Sequence, residues 1–234
     1  GIVTIRNGEL QTRIGMGLVS EVFADGIAAL PGRVAIGHVR YATTGASQLK
    51  NAQPLVFKTG HGMLAIGHNG NLTNALQLKK KLESRGAIFQ STTDSEVIVH
   101  LLARQEGPLE DALIASLRQV EGAYSMVMLS VDKLIAVRDP YGFRPLVLGR
   151  IGDSHIFASE TTALNLIGAE LVRELEPGEM AIVEGSTLKT LKPFAPADDQ
   201  AMVLPWASVI VMMVLLNDAF TCATPEAMFL RSRR

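Results

Sequence analysis

The sequence contains a single cysteine, Cys222, among its 234 residues. One cysteine excludes an internal disulfide framework and is typical of a reducing compartment, so we predict a cytoplasmic location. Net charge is also nearly absent, at -1. A nearly neutral chain gives no reason to expect nucleic acid or an acidic membrane as a partner, although a local site for a charged small molecule is compatible with it.

The first residues, GIVTIRNGEL, show neither an initiator methionine nor the apolar stretch of a signal peptide. They read as the interior of a strand, and we therefore expect further sequence before Gly1. The chain is 47% hydrophobic and 19% charged. That composition and length predict a folded chain with a substantial core.

The predicted elements run in the order strands, helices, strands. Short apolar runs between glycine and polar residues indicate strands and turns across residues 1–40. The buried strands that apolar runs predict lie at 34–41, 63–68, 124–131, 134–137, 146–149, 155–158 and 180–183, and the helices at 72–86, 97–104 and 109–120. This order favours an α+β fold with mostly antiparallel sheets over a parallel βαβ chain.

Within the first predicted helix, leucines at 72, 76, 78 and 82 form the apolar face and Gly86 ends the helix. The segment before it, Asn69-Gly70-Asn71, is typical of a turn. Residues 43–54 are small and polar, and this pattern indicates an exposed loop.

Two segments carry groups suited to the ends of an amino-acid substrate. Arg40 offers a planar fork for a carboxylate, and Thr43 adds a hydroxyl. Asp94, in Thr-Thr-Asp-Ser-Glu, can pair with an ammonium group. Taken singly, each has a simpler interpretation: Arg40 as a surface ion pair, and Asp94 as the cap of a helix worth about 1 kcal/mol.

A third segment suits a reacting carbonyl. Asn69 can direct a side-chain amide, and Gly70 can bring a backbone N–H close to a developing oxyanion. A fourth, residues 138–145, has the proline and glycine spacing of a rigid turn, in which Asp139 and Arg144 are expected to pair with each other. The first three segments together describe a free amino acid with a reactive side-chain carbonyl, and glutamine fits that description.

Several long motifs resemble the glutaminase domain of amidophosphoribosyltransferases. These motifs are GHVRYATTG, NAQPLVF, HNGNLTNALQLKKKL, SEVIVHLL, RDPYGFRPLVLG, ASETTAL and ELEPGEM, and the resemblance runs from Gly1 to about Pro193. Enzymes of that family make phosphoribosylamine from glutamine and phosphoribosyl pyrophosphate in purine synthesis. Related class II amidotransferases such as glucosamine-6-phosphate synthase usually carry Thr-Arg-Trp-Ala-Thr in the first motif, so Val39-Arg40-Tyr41 favours the purine enzyme.

The resemblance implies a four-layer αββα sandwich of the N-terminal-nucleophile hydrolase type. It assigns Arg40 and Thr43 to the glutamine carboxylate, Asp94 to the ammonium group, and Asn69 with the backbone of Gly70 to the oxyanion hole. The segment from Arg40 to about Asn51 resembles a loop that closes over glutamine. No metal site is expected in this domain.

The nucleophile implied by the resemblance is an N-terminal cysteine whose own amine acts as the base. It would lie before Gly1, and Cys222 is too far from every motif to replace it. We therefore expect no glutaminase activity from residues 1–234 by themselves. The alternatives are an inactive fragment that keeps only a glutamine pocket, and the glutaminase domain of another class II enzyme.

The predicted domain organisation is a glutamine amidotransferase domain at 1–193, a linker at 194–201 and an apolar tail at 202–234. The tail does not resemble the family and has the character of a frameshifted translation. A membrane anchor is disfavoured because its uncharged stretch is short and Pro205 interrupts it. The family implies a phosphoribosyltransferase domain that uses Mg²⁺, assembly into a homo-oligomer and, in some members, an iron–sulfur cluster, which the sequence leaves open.

Overall fold

The computed structural model describes residues 1–25, 30, 32–39 and 48–197, together with the backbone of 212–216. The strands are β1 (Ile2–Arg6), β2 (Glu9–Arg13), β3 (Val34–His38), β4 (Leu55–Thr59), β5 (Gly62–Leu72), β6 (Gly122–Leu129), β7 (Lys133–Arg138), β8 (Val147–Ile151), β9 (Ser154–Ala158), β10 (Glu170–Glu174), β11 (Met180–Glu184), β12 (Thr187–Leu191) and β13 (Met212–Leu216). The helices are α1 (Val19–Val22), α2 (Ala75–Glu83), α3 (Glu96–Leu102), α4 (Leu109–Leu117) and α5 (Thr161–Leu166), with a 3₁₀ turn at Leu49–Asn51.

The described strands form two sheets. One has seven strands in the order β10-β8-β9-β13-β3-β1-β2, and the other has six in the order β12-β11-β7-β6-β5-β4. Every pairing between these strands is antiparallel. The preference for antiparallel sheets that the element order predicts is therefore confirmed.

The two sheets stack face to face around a shared core. Val3, Ile36 and Phe157 from the seven-stranded sheet pack with Val127 and Leu134 from the six-stranded sheet. Helices α3 and α4 cover the outer face of the six-stranded sheet, with α2 packed on α3. On the other side, α5 packs on β8 and β9. The layers therefore run helix, sheet, sheet, helix, which is the αββα sandwich that the resemblance implies.

Strand β6 shows why this arrangement needs long apolar runs. All eight of its residues are buried. Because side chains alternate along a strand, Tyr124 and Met126 face the helices while Val127 and Leu129 face the opposite sheet. A strand covered on both faces cannot alternate apolar with polar residues, and it reads as a continuous apolar run.

Strand β5 differs from the prediction. The strand does not end at His68 but runs through Asn69, Gly70 and Asn71 to Leu72. The interpretation of Asn69-Gly70 as a turn is therefore wrong. The reason is long-range: β6 pairs with β5 along its whole last part, from Ala65 opposite Leu129 to Leu72 opposite Gly122.

The extension of β5 also changes the following helix, which begins at Ala75. Leu72 is buried in the strand, and Leu76 is 68% exposed, so only Leu78 and Leu82 serve the predicted apolar face. The helix does end before Gly86, as predicted. There Gly86 has φ 85°, and the N–H of Ala87 donates to the carbonyl of Leu82.

The turn at residues 138–145 is held by Asp139, which is fully buried. Its carboxylate accepts hydrogen bonds from the backbone N–H groups of Tyr124, Tyr141 and Phe143. Burial raises the pKa of this carboxyl, against the lowering effect of these bonds and of the Arg138 guanidinium. Asp139 therefore holds the turn against β6 through backbone N–H groups. The predicted pairing of Asp139 with Arg144 is wrong.

Strand β13 lies within the predicted tail. Its backbone pairs with β3 from Met212 opposite His38 to Leu216 opposite Val34, and with β9 where Met213 faces Ala158. Among the described strands it alone connects β3 with β9. The predicted boundaries at 193 and 201 remain a prediction, since pairing alone does not say where the domain ends.

Removal of residues 202–234 should lower the thermal midpoint by roughly 5 °C or more, because it deletes the strand that joins the two parts of the seven-stranded sheet. Differential scanning calorimetry measures this. A matched truncation that removes only residues 217–234 keeps β13, and it should have a higher midpoint than the longer truncation. Equal midpoints for both truncations and the parent chain would show that β13 contributes nothing to the sheet.

Candidate functional site

The structure brings three of the five predicted site residues together. Asn69 and Gly70 lie near the end of β5, and Asp94 lies two residues before α3. The side chain of Asp94 reaches β5, where one carboxylate oxygen accepts the backbone N–H of Leu72 at 2.8 Å. The other two, Arg40 and Thr43, lie outside the described residues.

Gly70 occupies a position that other residues would not tolerate. Its φ is 149°, in the region that side chains rarely adopt. A Cβ atom built there would lie 2.0 Å from the carbonyl oxygen of Ala123 on β6. Both the backbone conformation and the close approach of β6 therefore require glycine, beside the buried side chain of Asn69.

Asp94 does not cap the helix with its side chain. The N-cap of α3 is Ser95, and no side-chain hydrogen bond caps this helix. Asp94 contributes only its backbone carbonyl, which accepts the N–H of Val97. The cap interpretation is wrong because the carboxylate turns instead to the end of β5, and 25% of the side chain remains exposed.

Glu96 is a structural residue of this site that is not among the residues predicted from the sequence. Although its side chain is fully buried, it accepts hydrogen bonds from the backbone N–H groups of Gln90 and Ser91 and from the Ser91 hydroxyl. His100 lies 3.4 Å away on the next turn of α3. Burial raises the pKa of Glu96, but the bonds from His100 and Ser91 outweigh it and lower the pKa to about 2. The carboxylate thus anchors the loop that leads to Asp94.

The same loop is tied to the segment before β4. The Asn51 amide donates to the Thr92 hydroxyl at 2.8 Å, and its oxygen accepts the backbone N–H of Thr92 at 2.9 Å. Asn51 is fully buried. An asparagine in a polar loop carries no sequence signal for such a role, because its partner lies 41 residues away.

A buried polar cluster lies beneath Asn69 and Asp94. His68 places its Nδ1 2.9 Å from the hydroxyl of Ser95, and its backbone N–H donates to the Gln53 side chain at 2.7 Å. The Gln53 amide in turn donates to Ser95, whose hydroxyl donates to Asp94, each at 3.4 Å. None of Gln53, His68 and Ser95 is among the predicted site residues, since buried polar residues have no distinct sequence pattern.

A cavity of about 110 Å³ adjoins this cluster. Gln53 and His38 form part of its wall, and the backbone carbonyl of His68 lies 3.1 Å from the ring Nε2 of His38. The remaining wall includes Met16, Phe23, Val39 and Gln48. One water needs about 10–15 Å³ of such a cavity, which therefore has room for several waters or for part of a small ligand.

Neither a metal site nor a membrane span is found among the described residues. They contain no group of three or more histidine, cysteine, aspartate or glutamate side chains placed to hold a metal ion. No helix among them is long and apolar enough to cross a membrane.

The fold and the site define a class of protein. Residues 38–166 match the glutamine amidotransferase domain family, and the chain belongs to that family. Within it, the chain is similar to amidophosphoribosyltransferases, which confirms the resemblance found in the motifs. The chloroplastic amidophosphoribosyltransferase 1 of Arabidopsis thaliana is 50% identical over 194 residues, which cover 81% of this chain and 34% of that protein. The amidophosphoribosyltransferase of Bacillus subtilis is 44% identical over 193 residues, covering 81% of this chain and 40% of the relative.

Solved structures agree with this assignment. The glutamine phosphoribosylpyrophosphate amidotransferase of B. subtilis, in complex with ADP and GMP, matches with a TM-score of 0.78 at 41% identity, over 82% of this chain and 42% of that one. A predicted glutamine amidotransferase of Pseudomonas aeruginosa, at 14% identity and a TM-score of 0.52 over 80% of this chain and 85% of that one, shares the fold. The chain spans about a third to two fifths of the length of the curated relatives it matches.

The substitution Glu96→Gln should destabilise the protein by about 2 kcal/mol at pH 7, because it removes a charged acceptor from buried donors. The low folded-state pKa stabilises the fold above the unfolded value of 4.5, and this contribution is lost as the pH falls towards about 2. Urea unfolding across this range should show the difference from wild type shrinking at low pH. The exposed Glu83 provides the control, Glu83→Gln, and a deficit for Glu96→Gln that is constant with pH would contradict the assignment.

Proposed function

We propose that this chain is the glutaminase domain of an amidophosphoribosyltransferase, which releases ammonia from glutamine for the synthesis of phosphoribosylamine. The observation that carries the proposal is the hydrogen bond from the Leu72 amide to Asp94, which places a carboxylate beside the Asn69-Gly70 end of β5. An ammonium partner and two amide donors at one strand end suit an amino acid with a side-chain carbonyl. The 44–50% identity to proteins of that name supports the choice of enzyme.

The roles follow from the chemistry of glutamine. Asp94 receives the α-ammonium group through its partly exposed carboxylate. Arg40 and Thr43 receive the α-carboxylate. The side-chain amide of Asn69 and the backbone N–H of Gly70 stabilise the negative charge that develops on the side-chain oxygen during attack.

In the reaction, the amine of the nucleophilic cysteine takes the proton of its thiol, and the thiolate attacks the side-chain carbonyl. The amine returns that proton to the departing nitrogen as the tetrahedral intermediate collapses to a thioester and ammonia. Water then hydrolyses the thioester to glutamate. The resemblance assigns the thiolate to a cysteine upstream of Gly1. In this proposal Mg²⁺ belongs to the phosphoribosyltransferase domain that the resemblance implies.

The wider setting belongs to the same proposal. The ammonia passes to a phosphoribosyltransferase domain, and the protein assembles as a homo-oligomer in the cytoplasm. Analytical ultracentrifugation tests the assembly, and fractionation of the source cells tests the location, for which the chloroplastic Arabidopsis relatives are the natural contrast.

Asn69→Ala should lower kcat for glutamine-dependent synthesis by about 10²-fold with little change in KM, because the oxyanion forms only near the transition state. The assay uses the protein with whatever flanking sequence its gene encodes. Synthesis from free ammonia, which bypasses this site, is the control and should be unchanged. A parallel loss of both rates would mean that Asn69 supports the fold and does not act on substrate.

Asp94→Asn and Arg40→Lys should instead raise KM for glutamine. The first change removes the charge that pairs with the ammonium group, and the second keeps a positive charge but loses the two-pronged geometry. Steady-state kinetics with glutamine and with ammonia separate this effect from unfolding. Unchanged KM values in both variants would remove Asp94 and Arg40 from the glutamine site.

A further inference from the structure

The buried cluster beneath Asp94 forms a directed chain of hydrogen bonds. It starts at His68, whose side chain is 1% exposed, and passes through the fully buried Ser95 to the Asp94 carboxylate. The Gln53 side chain binds at two points, accepting from the backbone of His68 and donating to Ser95. We call Gln53, His68 and Ser95 the Ser95 cluster.

The direction of these hydrogen bonds follows from the tautomer of the His68 imidazole. His68 Nε2 is buried and has no hydrogen-bond partner among the described residues. A proton on Nε2 would leave a buried N–H unpaired, and buried N–H groups without a partner are rarer than under-satisfied acceptors. The proton therefore lies on Nδ1, and this N–H donates to the Ser95 hydroxyl oxygen.

The hydroxyl proton of Ser95 is then available to donate one hydrogen bond. Its oxygen accepts from His68 and from the Gln53 amide, so its own O–H turns to the remaining neighbour, Asp94 Oδ1 at 3.4 Å. The other oxygen, Oδ2, is held by the Leu72 amide at 2.8 Å. Oδ2 thus has a short donor on β5, and Oδ1 has a longer contact with the Ser95 hydroxyl, so that the two contacts together define the orientation of the carboxylate.

We infer that Ser95 is a positioning residue, which holds the Asp94 carboxylate in the orientation that receives the α-ammonium group of the substrate. The inference rests on the proposed function, since it gives Asp94 that partner. The Ser95 cluster touches no substrate atom in this scheme, and its effect reaches the substrate only through Asp94. The consequence is selectivity: the site distinguishes an amino acid from the same molecule without its amino group only while Ser95 holds Asp94 in place.

The test is Ser95→Ala in the protein with the flanking sequence that its gene encodes. It is assayed with glutamine and with 4-carbamoylbutanoate, which has the same side-chain amide and no ammonium group. KM for glutamine should rise about tenfold, with kcat nearly unchanged, since one charge-assisted hydrogen bond orients the carboxylate. KM for the des-amino compound should not change. A structural role alone would raise both KM values together, and that result would overturn the inference.

Two further variants keep the test decisive. Ser95→Cys preserves the side-chain shape with a somewhat larger atom and is a weak donor, so it should shift KM in the same direction if Ser95→Ala fails to fold. Ser116→Ala is the matched control, because Ser116 is also fully buried and its hydroxyl donates to the Ala112 carbonyl within α4. It should leave both KM values unchanged, and a rise equal to that of Ser95→Ala would assign the effect to general loss of packing.

A double-mutant cycle separates this inference from the proposed function. In an Asp94→Asn background, Ser95→Ala should have no further effect on KM for glutamine, because the group it positions has been removed. If Asp94→Asn raises KM and Ser95→Ala alone does not, the positioning role fails and the glutamine site stands. If Asp94→Asn itself has no effect, the proposed ammonium site fails.

Discussion

The pairing of β5 with β6 is the constraint on which the rest of the structure depends. The eight paired positions from Ala65 to Leu72 hold β5 extended where its sequence favours a turn. At Gly70 the two backbones approach so closely that no side chain fits between them. This ladder joins the core between the sheets to the core beneath the helices, because β6 contributes side chains to both. It also fixes the point where Asn69, Gly70 and Asp94 meet.

The sequence predicts the layers better than it predicts the edges of the elements. Long apolar runs identify β6, β7 and β11 close to their observed bounds, because strands covered on both faces carry a strong signal. Exposed elements such as β10 and β12 carry no such run and were not predicted. The error at Asn69-Gly70 has a different origin: a local turn preference is overridden by pairing with β6, which lies far away in the sequence.

Part of the candidate site was predictable where residue type alone indicates chemistry, and the roles of these residues stay a proposal. An amide beside glycine and an acid before a helix pointed to Asn69, Gly70 and Asp94, and the structure places these three at one strand end. The supporting residues were not predictable. Glu96 has the sequence appearance of an ordinary first-turn acid, and Ser95 that of an ordinary polar residue near the start of a helix. Their burial and partners depend on loops that fold back from other parts of the chain.

The placement of α2, α3 and α4 between β5 and β6 in the chain sets the order of events as the protein leaves the ribosome. Strand β5 is synthesised well before its partner β6, and helices α2, α3 and α4 are synthesised in between. The helices form through local contacts, while the ladder has to wait for a distant strand, and such non-local pairing is slow. Until β6 is synthesised, the edge of β5 that it will pair with has no strand partner, and an open strand edge is a template for pairing with other chains.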